Sequence, residues 1–257
     1  MTKIAIIIYS LYHHVSTMAE EVKKGVESVE GCSAEIFQVP ETLSKELLEQ
    51  LGAPERPDYP IATLETLTSY DAILFGMPTR FGAMPAQMKA YLDGTGGLWA
   101  NGSLYQKPVG VFVSTGTGSG REFTVYNCLS AFAHHGMIFV PLGFAKAFPE
   151  LANVTEPQGG SAWGAGCLAG GDGSRNPSKL ELRVAEIQGH EFADAVKPMF
   201  TSVEKAVAKP AAHPTAKPAA KATTTKPATK TTKTASKPAT KSEKKRGFFS
   251  RLAHKLF

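Results

Sequence analysis

From Lys3 to Tyr9 the chain runs in β-branched apolar side chains with almost no polar interruption, and Met18, Val22 and Val26 then recur at four-residue spacing within Val15 to Val29. An unbroken apolar run of that length is a strand covered on both faces, and the spacing after it is one face of a helix. Ala34 to Val39 reads as a second strand and Ala72 to Gly76 as a third. Between them, prolines at 54, 57 and 60 predict an irregular stretch, because each fixes φ and lacks an amide donor. Pro85 to Asp93 reads as a helix opened by its proline, Val109 to Ser114 as a fourth strand, Phe123 to His135 as a helix and Ile138 to Pro141 as a short fifth strand. Residues 151–176, rich in glycine and carrying Trp163, are too long for a plain connection and read as a functional loop. Leu180 to Phe200 closes the pattern as a helix that offers Leu182, Ala185, Ile187 and Phe192 for packing. Five strands alternating with helices predict an α/β fold, a doubly wound parallel sheet with helices on both faces.

The pattern ends near residue 204, and composition changes there too. Up to Glu204 the chain holds 14 basic and 22 acidic residues, a net of −8, whereas beyond it 14 basic residues face the single acid Glu243, a net of +13. The overall +5 therefore hides an acidic body and a strongly basic tail. That tail offers nucleic acid only non-specific phosphate attraction, since no reading module accompanies it, so no specific nucleic-acid partner is expected. Residues 204–246 are Lys, Pro, Ala and Thr in near-repeats such as KPAAK and KPATK, a composition that cannot bury enough apolar surface to order itself, so the segment is expected to be a disordered linker. The three cysteines, Cys32, Cys128 and Cys167, are far apart and show no CxxC or metal-ligand spacing, which fits a reduced, cytoplasmic setting and supports no metal site.

In a doubly wound sheet ligands sit at the carboxyl ends of the strands, near the point where the strand order reverses. The loop after strand one is Ser10-Leu11-Tyr12-His13-His14-Val15-Ser16-Thr17 and leads straight into a helix. It reads equally as a phosphate site, with amides and hydroxyls at a helix N-terminus, and as an ordinary Ser/Thr helix cap. The loop after strand three, Pro78-Thr79-Arg80-Phe81-Gly82, offers an aromatic flank, a guanidinium for a carbonyl or phosphate, and backbone free to approach a ring edge. The loop after strand four, Ser114-Thr115-Gly116-Thr117-Gly118-Ser119-Gly120, does not match GxGxxG and reads as a cradle for a ring edge or ribityl chain, or as a flexible turn. Trp99 and the pair His134-His135 complete the candidates; taken singly, the first reads as core and the second as helix-end residues.

Taken together, Ser10-x-Tyr12-x-His14, Pro78-Thr79-Arg80-Phe81-Gly82, Gly96-Gly97-Leu98-Trp99, Ser114-Thr115-Gly116-Thr117-Gly118, Ala133-His134-His135-Gly136, Gly170-Gly171-Asp172-Gly173-Ser174-Arg175 and Glu186-Ile187-Gln188-Gly189 resemble the WrbA family of flavodoxin-like NAD(P)H:quinone oxidoreductases. The resemblance covers nearly all of residues 1–200, and fungal members look similar in carrying low-complexity extensions. It implies a flavodoxin-like FMN-binding domain over residues 1–203 with strand order 2-1-3-4-5. It further implies FMN held by Ser10 to Val15 (Ser10, Leu11, Tyr12, His13, His14, Val15), by Thr79, Arg80 and Phe81, and by Ser114, Thr115, Gly116, Thr117, Gly118 and Ser119. His134 would stand near the flavin as a catalytic hydrogen-bond or proton donor, Tyr12 would meet the nicotinamide of NADH or NADPH, and Trp99 would line the quinone site. Members assemble as dimers or tetramers whose sites neighbouring subunits complete. Two-electron quinone reduction of this ping-pong type implies an antioxidant role. One departure stands inside the phosphate loop: His13 occupies a position where glycine is common, and a side chain there disfavours positive φ and would crowd a phosphate.

The last segment, residues 247–257, reads GFFSRLAHKLF. At 100° per residue Phe248, Phe249, Leu252, Ala253 and Leu256 share one arc, with Lys244, Lys245 and Arg246 just before it, the pattern of an interfacial anchor on an anionic membrane surface. The expected location is cytoplasmic and peripheral to the inner face of the plasma membrane. The competing reading is a membrane-associated organising protein that has kept the fold but binds FMN weakly.

Overall fold

The computed structural model describes residues 1–201; the linker 204–246 and the segment 247–257 lie outside the described residues. In chain order the elements are β1 (Thr2–Ile8), α1 (His14–Glu27), β2 (Cys32–Gln38), α2 (Lys45–Gln50), α3 (Leu64–Ser69), β3 (Ala72–Pro78), α4 (Ala86–Asp93), α5 (Gly96–Ala100), β4 (Pro108–Thr115), α6 (Arg121–His135), β5 (Ile138–Phe139), α7 (Phe148–Leu151), β6 (Gly166–Leu168) and α8 (Lys179–Thr201). All strand pairings are parallel, in the order β2-β1-β3-β4-β5.

The apolar run that opens the chain divides between two cores. Ile4, Ile6 and Ile8 pack with Val15, Met18 and Val22 of α1 and Val184, Phe192 and Val196 of α8 on one face of the sheet. Ala5, Ile7 and Tyr9 pack with Leu67 of α3, Met88 and Tyr91 of α4, and Val125, Cys128 and Phe132 of α6 on the other. A period of two within a fully apolar strand thus feeds both layers, so helices must cover each face. The doubly wound sheet with strand order 2-1-3-4-5 is the one the pattern and the resemblance predict.

Two stretches differ from the sequence pattern. The Pro-rich segment is irregular only from 51 to 63 and is flanked by α2 and α3, whose polar, short helices leave little periodicity to read. Residues 151–176 are not one loop, because they contain β6, which makes the sheet six-stranded. β5 pairs with Pro108 and Val109 at the start of β4, and β6 pairs with Val113 to Thr115 at its end. Since β3 occupies the opposite edge of β4, the outer strand position is filled in two halves by segments far apart in sequence. The second half is held by the buried carboxylate of Glu181, which accepts from the amides of Gly159 (3.1 Å), Leu168 (2.8 Å) and Ser178 (2.8 Å) and from Arg175 Nη1 (2.8 Å). Ser178 Oγ in turn accepts from the Glu181 amide (3.3 Å), closing a capping box at the start of α8.

α1 and α8 cross in close contact at glycines. A Cβ on Gly25 would lie 1.9 Å from the Glu186 carbonyl oxygen, and one on Gly189 would lie 2.0 Å from that of Val22. Gly189→Ala decides between two effects of opposite sign. Helix propensity alone favours alanine by about 1 kcal/mol. Overpacking against a backbone that cannot turn aside costs about 1–3 kcal/mol or more. The expected result is a lower urea midpoint at unchanged slope; a higher midpoint would show that the helices separate freely.

Candidate functional site

β1, β3 and β4 are adjacent and parallel, so the loops after them leave the sheet side by side at its carboxyl edge. Pairing continues past the strand ends: the Tyr9 amide donates to Gly76 (3.0 Å) and the Thr79 amide to Ser114 (2.8 Å). Because β2 and β3 flank β1 on opposite sides, the strand order reverses at β1, the topological position where open α/β sheets bind ligands.

In the first loop, His13 adopts the left-handed conformation (φ 66°, ψ −8°) immediately before α1 begins. A left-handed residue followed by right-handed ones turns successive amides inward as a concave nest for an anion. The first amides of α1 have no intrahelical partner and lie at the positive end of its dipole. The His13 carbonyl is fixed by three donors, Ser16 Oγ (2.8 Å), Thr17 Oγ1 (2.9 Å) and the Thr17 amide (2.9 Å). The buried Ser10 Oγ accepts from the Ser16 amide (3.2 Å). A side-chain-bearing residue in this conformation costs about 1–2 kcal/mol relative to glycine. The imidazole is engaged away from the helix: Nε2 donates to the Glu55 carbonyl (2.8 Å), while the neighbouring Tyr12 hydroxyl donates to the Leu51 carbonyl (3.0 Å).

The second and third loops enclose a cleft of about 570 Å³. Arg80 and Ala83 exchange amide-to-carbonyl bonds of 2.8 and 2.9 Å around Phe81 (φ 54°) and Gly82 (φ 76°), a tight turn with both central residues left-handed. This turn thrusts Phe81 wholly into solvent at the cleft rim, an unusual conformation for a bulky residue and a hallmark of functional loops. Asn127 Nδ2 donates to the Gly82 carbonyl (2.7 Å), and Thr79 Oγ1 meets Thr124 Oγ1 (2.5 Å), so the turn is stitched to α6. Gly120, at φ 79°, lets the third loop approach; a Cβ there would stand 3.1 Å from Gly82 Cα. Thr79, Phe81, Thr115, Gly116, Thr117 and Ser119 line the cleft. Ser114 is buried at the end of β4, Gly118 is left-handed, and Arg80 Nη1 turns to the Thr79 carbonyl (3.0 Å).

The cleft also takes Phe123 and Asn127 of α6, which sequence reasoning passed over. Their spacing of four on the first turns after a glycine-rich loop was the available signal. Trp99 and His134 are not among the cleft's walls. Trp99 is exposed on the short α5. His134 lies eleven residues beyond Phe123 on α6, about 16 Å along the axis. Its Nδ1 donates to the Ser130 carbonyl (2.7 Å), leaving Nε2 as the outward end. His135 has a different environment: burial, then the neighbouring His134, hold its pKa below the ordinary value, and Nε2 bonds Thr95 Oγ1 (2.8 Å).

These residues fit FMN on the strength of their geometry. The amide nest and hydroxyls after β1 suit a phosphate dianion, glycine backbone in the third loop leaves room for a ring edge or sugar chain, and Phe81 and Phe123 supply apolar walls. When bound, FMN supplies two-electron redox chemistry, while the protein provides position and electrostatics.

Residues 2–148 match the model of the NADPH-dependent FMN reductase family. The chain is 61% identical over 196 residues to Protoplast secreted protein 2 of Saccharomyces cerevisiae, covering 76% of this chain and 98% of that one. It is 60% identical over 195 residues to the NAD(P)H quinone oxidoreductase PST3 of Candida albicans, again covering 76% and 98%. Among solved structures, a flavodoxin, WrbA-like protein from Agrobacterium tumefaciens superposes with a TM-score of 0.52 at 19% identity, covering 77% of this chain and 99% of that one, a likeness of fold. With the strand order, the three loops and these relatives in agreement, the chain belongs to the NADPH-dependent FMN reductase family and is of the flavodoxin-like, WrbA type.

Proposed function

We propose that this protein is an FMN-dependent NAD(P)H:quinone oxidoreductase that works by a ping-pong mechanism. The observation that carries this reading is the anion nest after β1 standing beside a glycine-lined, aromatic-rimmed cleft after β3 and β4. Ser10, Leu11, Tyr12, His13, His14 and Val15 would receive the phosphate, and Thr79, Arg80, Phe81 and Ser114 to Ser119 the ribityl chain and ring edge. Tyr12, half-exposed beside the nest with its hydroxyl tied to Leu51, presents a fixed ring as a platform for nicotinamide. One open face serves both substrates, so NAD(P)H must leave before the quinone enters. The names of the Candida relatives, which are 54–60% identical, support quinones as acceptors.

Trp99 and His134 act, on this reading, in the site of a neighbouring subunit. Both are exposed and neither lines the cleft of its own chain. The exposed side chains of Phe123, Tyr126 and His134 share one face of α6, which supports burial against another copy in a dimer or tetramer. Trp99 would then be a flat wall for the quinone, and His134, whose Nδ1–H is bonded to the Ser130 carbonyl, would present Nε2 to the acceptor and donate from it as the imidazolium. Two-electron delivery supports a protective, antioxidant role. The basic segment 247–257, outside the described residues, would hold the enzyme at the inner face of the plasma membrane through a linker of roughly 40 residues spanning on the order of 40 Å.

Three measurements check these readings. Initial rates with NAD(P)H and benzoquinone at saturating FMN should give parallel double-reciprocal lines; intersecting lines or absence of turnover would overturn the mechanism. Sedimentation should find an oligomer carrying the activity, and a fully active species of one chain's mass would refute the shared site. Deleting residues 247–257 should release a fluorescent fusion to the cytosol and abolish salt-sensitive binding to anionic liposomes, whereas a truncated protein that stays at the membrane would sink the anchor.

A further inference from the structure

We propose that residues 51–57 form a clasp that holds the anion-binding loop after β1 in shape, with His13 as its positioning residue. The inference rests on the reading that the FMN phosphate lies on that loop. The nest exists only while residue 13 stays left-handed, a conformation that a β-carbon disfavours. Such a residue persists when its surroundings over-determine it. Here two consecutive side chains of the loop do so, Tyr12 donating to the Leu51 carbonyl (3.0 Å) and His13 Nε2 to the Glu55 carbonyl (2.8 Å).

A tether works only if its far end is fixed, and this one is. Gln38, the last residue of β2, donates through Nε2 to the carbonyls of Pro57 (2.6 Å) and Tyr59 (3.2 Å) and accepts from Arg56 Nε (3.0 Å). Arg56 Nη2 donates to the Val39 carbonyl (3.0 Å), and the Ala53 amide to Leu48 (3.0 Å). Pro54 and Pro57 bracket the accepting residue with fixed φ. The clasp therefore runs from the sheet through β2 to residues 51–57 and from there to the loop. Glycine at this position would adopt the left-handed conformation freely; here a side chain replaces that freedom with an external hold. His13 acts on the phosphate through backbone conformation, and ordering the loop beforehand removes a cost that binding would otherwise carry.

The consequence is confined to the phosphate end of the ligand, so FMN and riboflavin separate it from a general effect on the fold. Affinities for both are measured by flavin fluorescence with the deflavinated full-length protein. His13→Ala keeps the strain and loses the tether; FMN should bind on the order of five-fold more weakly or worse, the worth of one net hydrogen bond, with riboflavin unchanged. His13→Gly relieves the strain but also loses the tether, so FMN should still bind more weakly than to the wild type, though less so than with His13→Ala. Pro54→Gly with Pro57→Gly loosens the clasp without touching the loop and should weaken FMN in the same sense. Equal weakening of FMN and riboflavin, or wild-type FMN affinity in His13→Gly, would overturn the proposal. Amide hydrogen exchange of the unliganded protein adds an arm that needs no flavin: Ser16 and Thr17 should exchange faster in His13→Ala, and unaltered exchange would overturn the clasp. A wild-type chain that binds no FMN would instead refute the cofactor placement, with the exchange measurement still deciding the clasp.

Discussion

The double pairing of β1 is the constraint on which the rest depends. β2 on one edge and β3 on the other leave its backbone fully bonded, and the alternation of Ile4, Ile6 and Ile8 with Ala5, Ile7 and Tyr9 commits both faces to helices. Strand order reverses at that strand, so the loop leaving it cannot be covered by a neighbour's crossover and stays open to a ligand. The loops after β3 and β4 then fall beside it, because parallel register carries Gly76 next to Ile8 and Ser114 next to Pro78.

The scaffold is rigid where it must aim these loops. Backbone-to-backbone approach at Gly25 and Gly189 locks α1 against α8, and α1 is the helix whose first turn forms the anion nest. Glu181 gathers three amides and Arg175 around one buried carboxylate, fixing β6 against the end of β4 where the third loop begins. Breaking such a buried, multiply bonded charge is costly because its donors lose their partner together. Around that frame, three non-glycine residues among those described are left-handed, His13, Phe81 and Gln106, and the first two belong to the loops after β1 and β3.

Much of this was legible in residue types. Glycines and hydroxyls in Ser114 to Gly120, and the Thr79-Arg80-Phe81-Gly82 run, mark chemistry that a plain turn does not need, and the cleft collects most of them. Phe123 and Asn127 escaped because a helix face turned to a cleft looks like any exposed helix face until the neighbouring turn is in place. His13 shows the limit most clearly. Sequence predicted that a side chain would resist positive φ, yet its partner is the carbonyl of Glu55, 42 residues away, and a backbone carbonyl carries no sequence signature.

The layer order can be read from the residues alone, because apolar period and chain punctuation are local properties that hydrophobic burial enforces everywhere along the chain. The motifs located the three loops for the same reason, since glycine and hydroxyl requirements are met residue by residue. Folding in three dimensions is what places β5 and β6 on one edge of β4, leaves Trp99 and His134 outside their own chain's cleft, and brings the carbonyls of Leu51 and Glu55 to Tyr12 and His13. Each of those depends on contacts between distant segments, whose pairing is set by packing and backbone hydrogen bonds rather than by the identity of either residue.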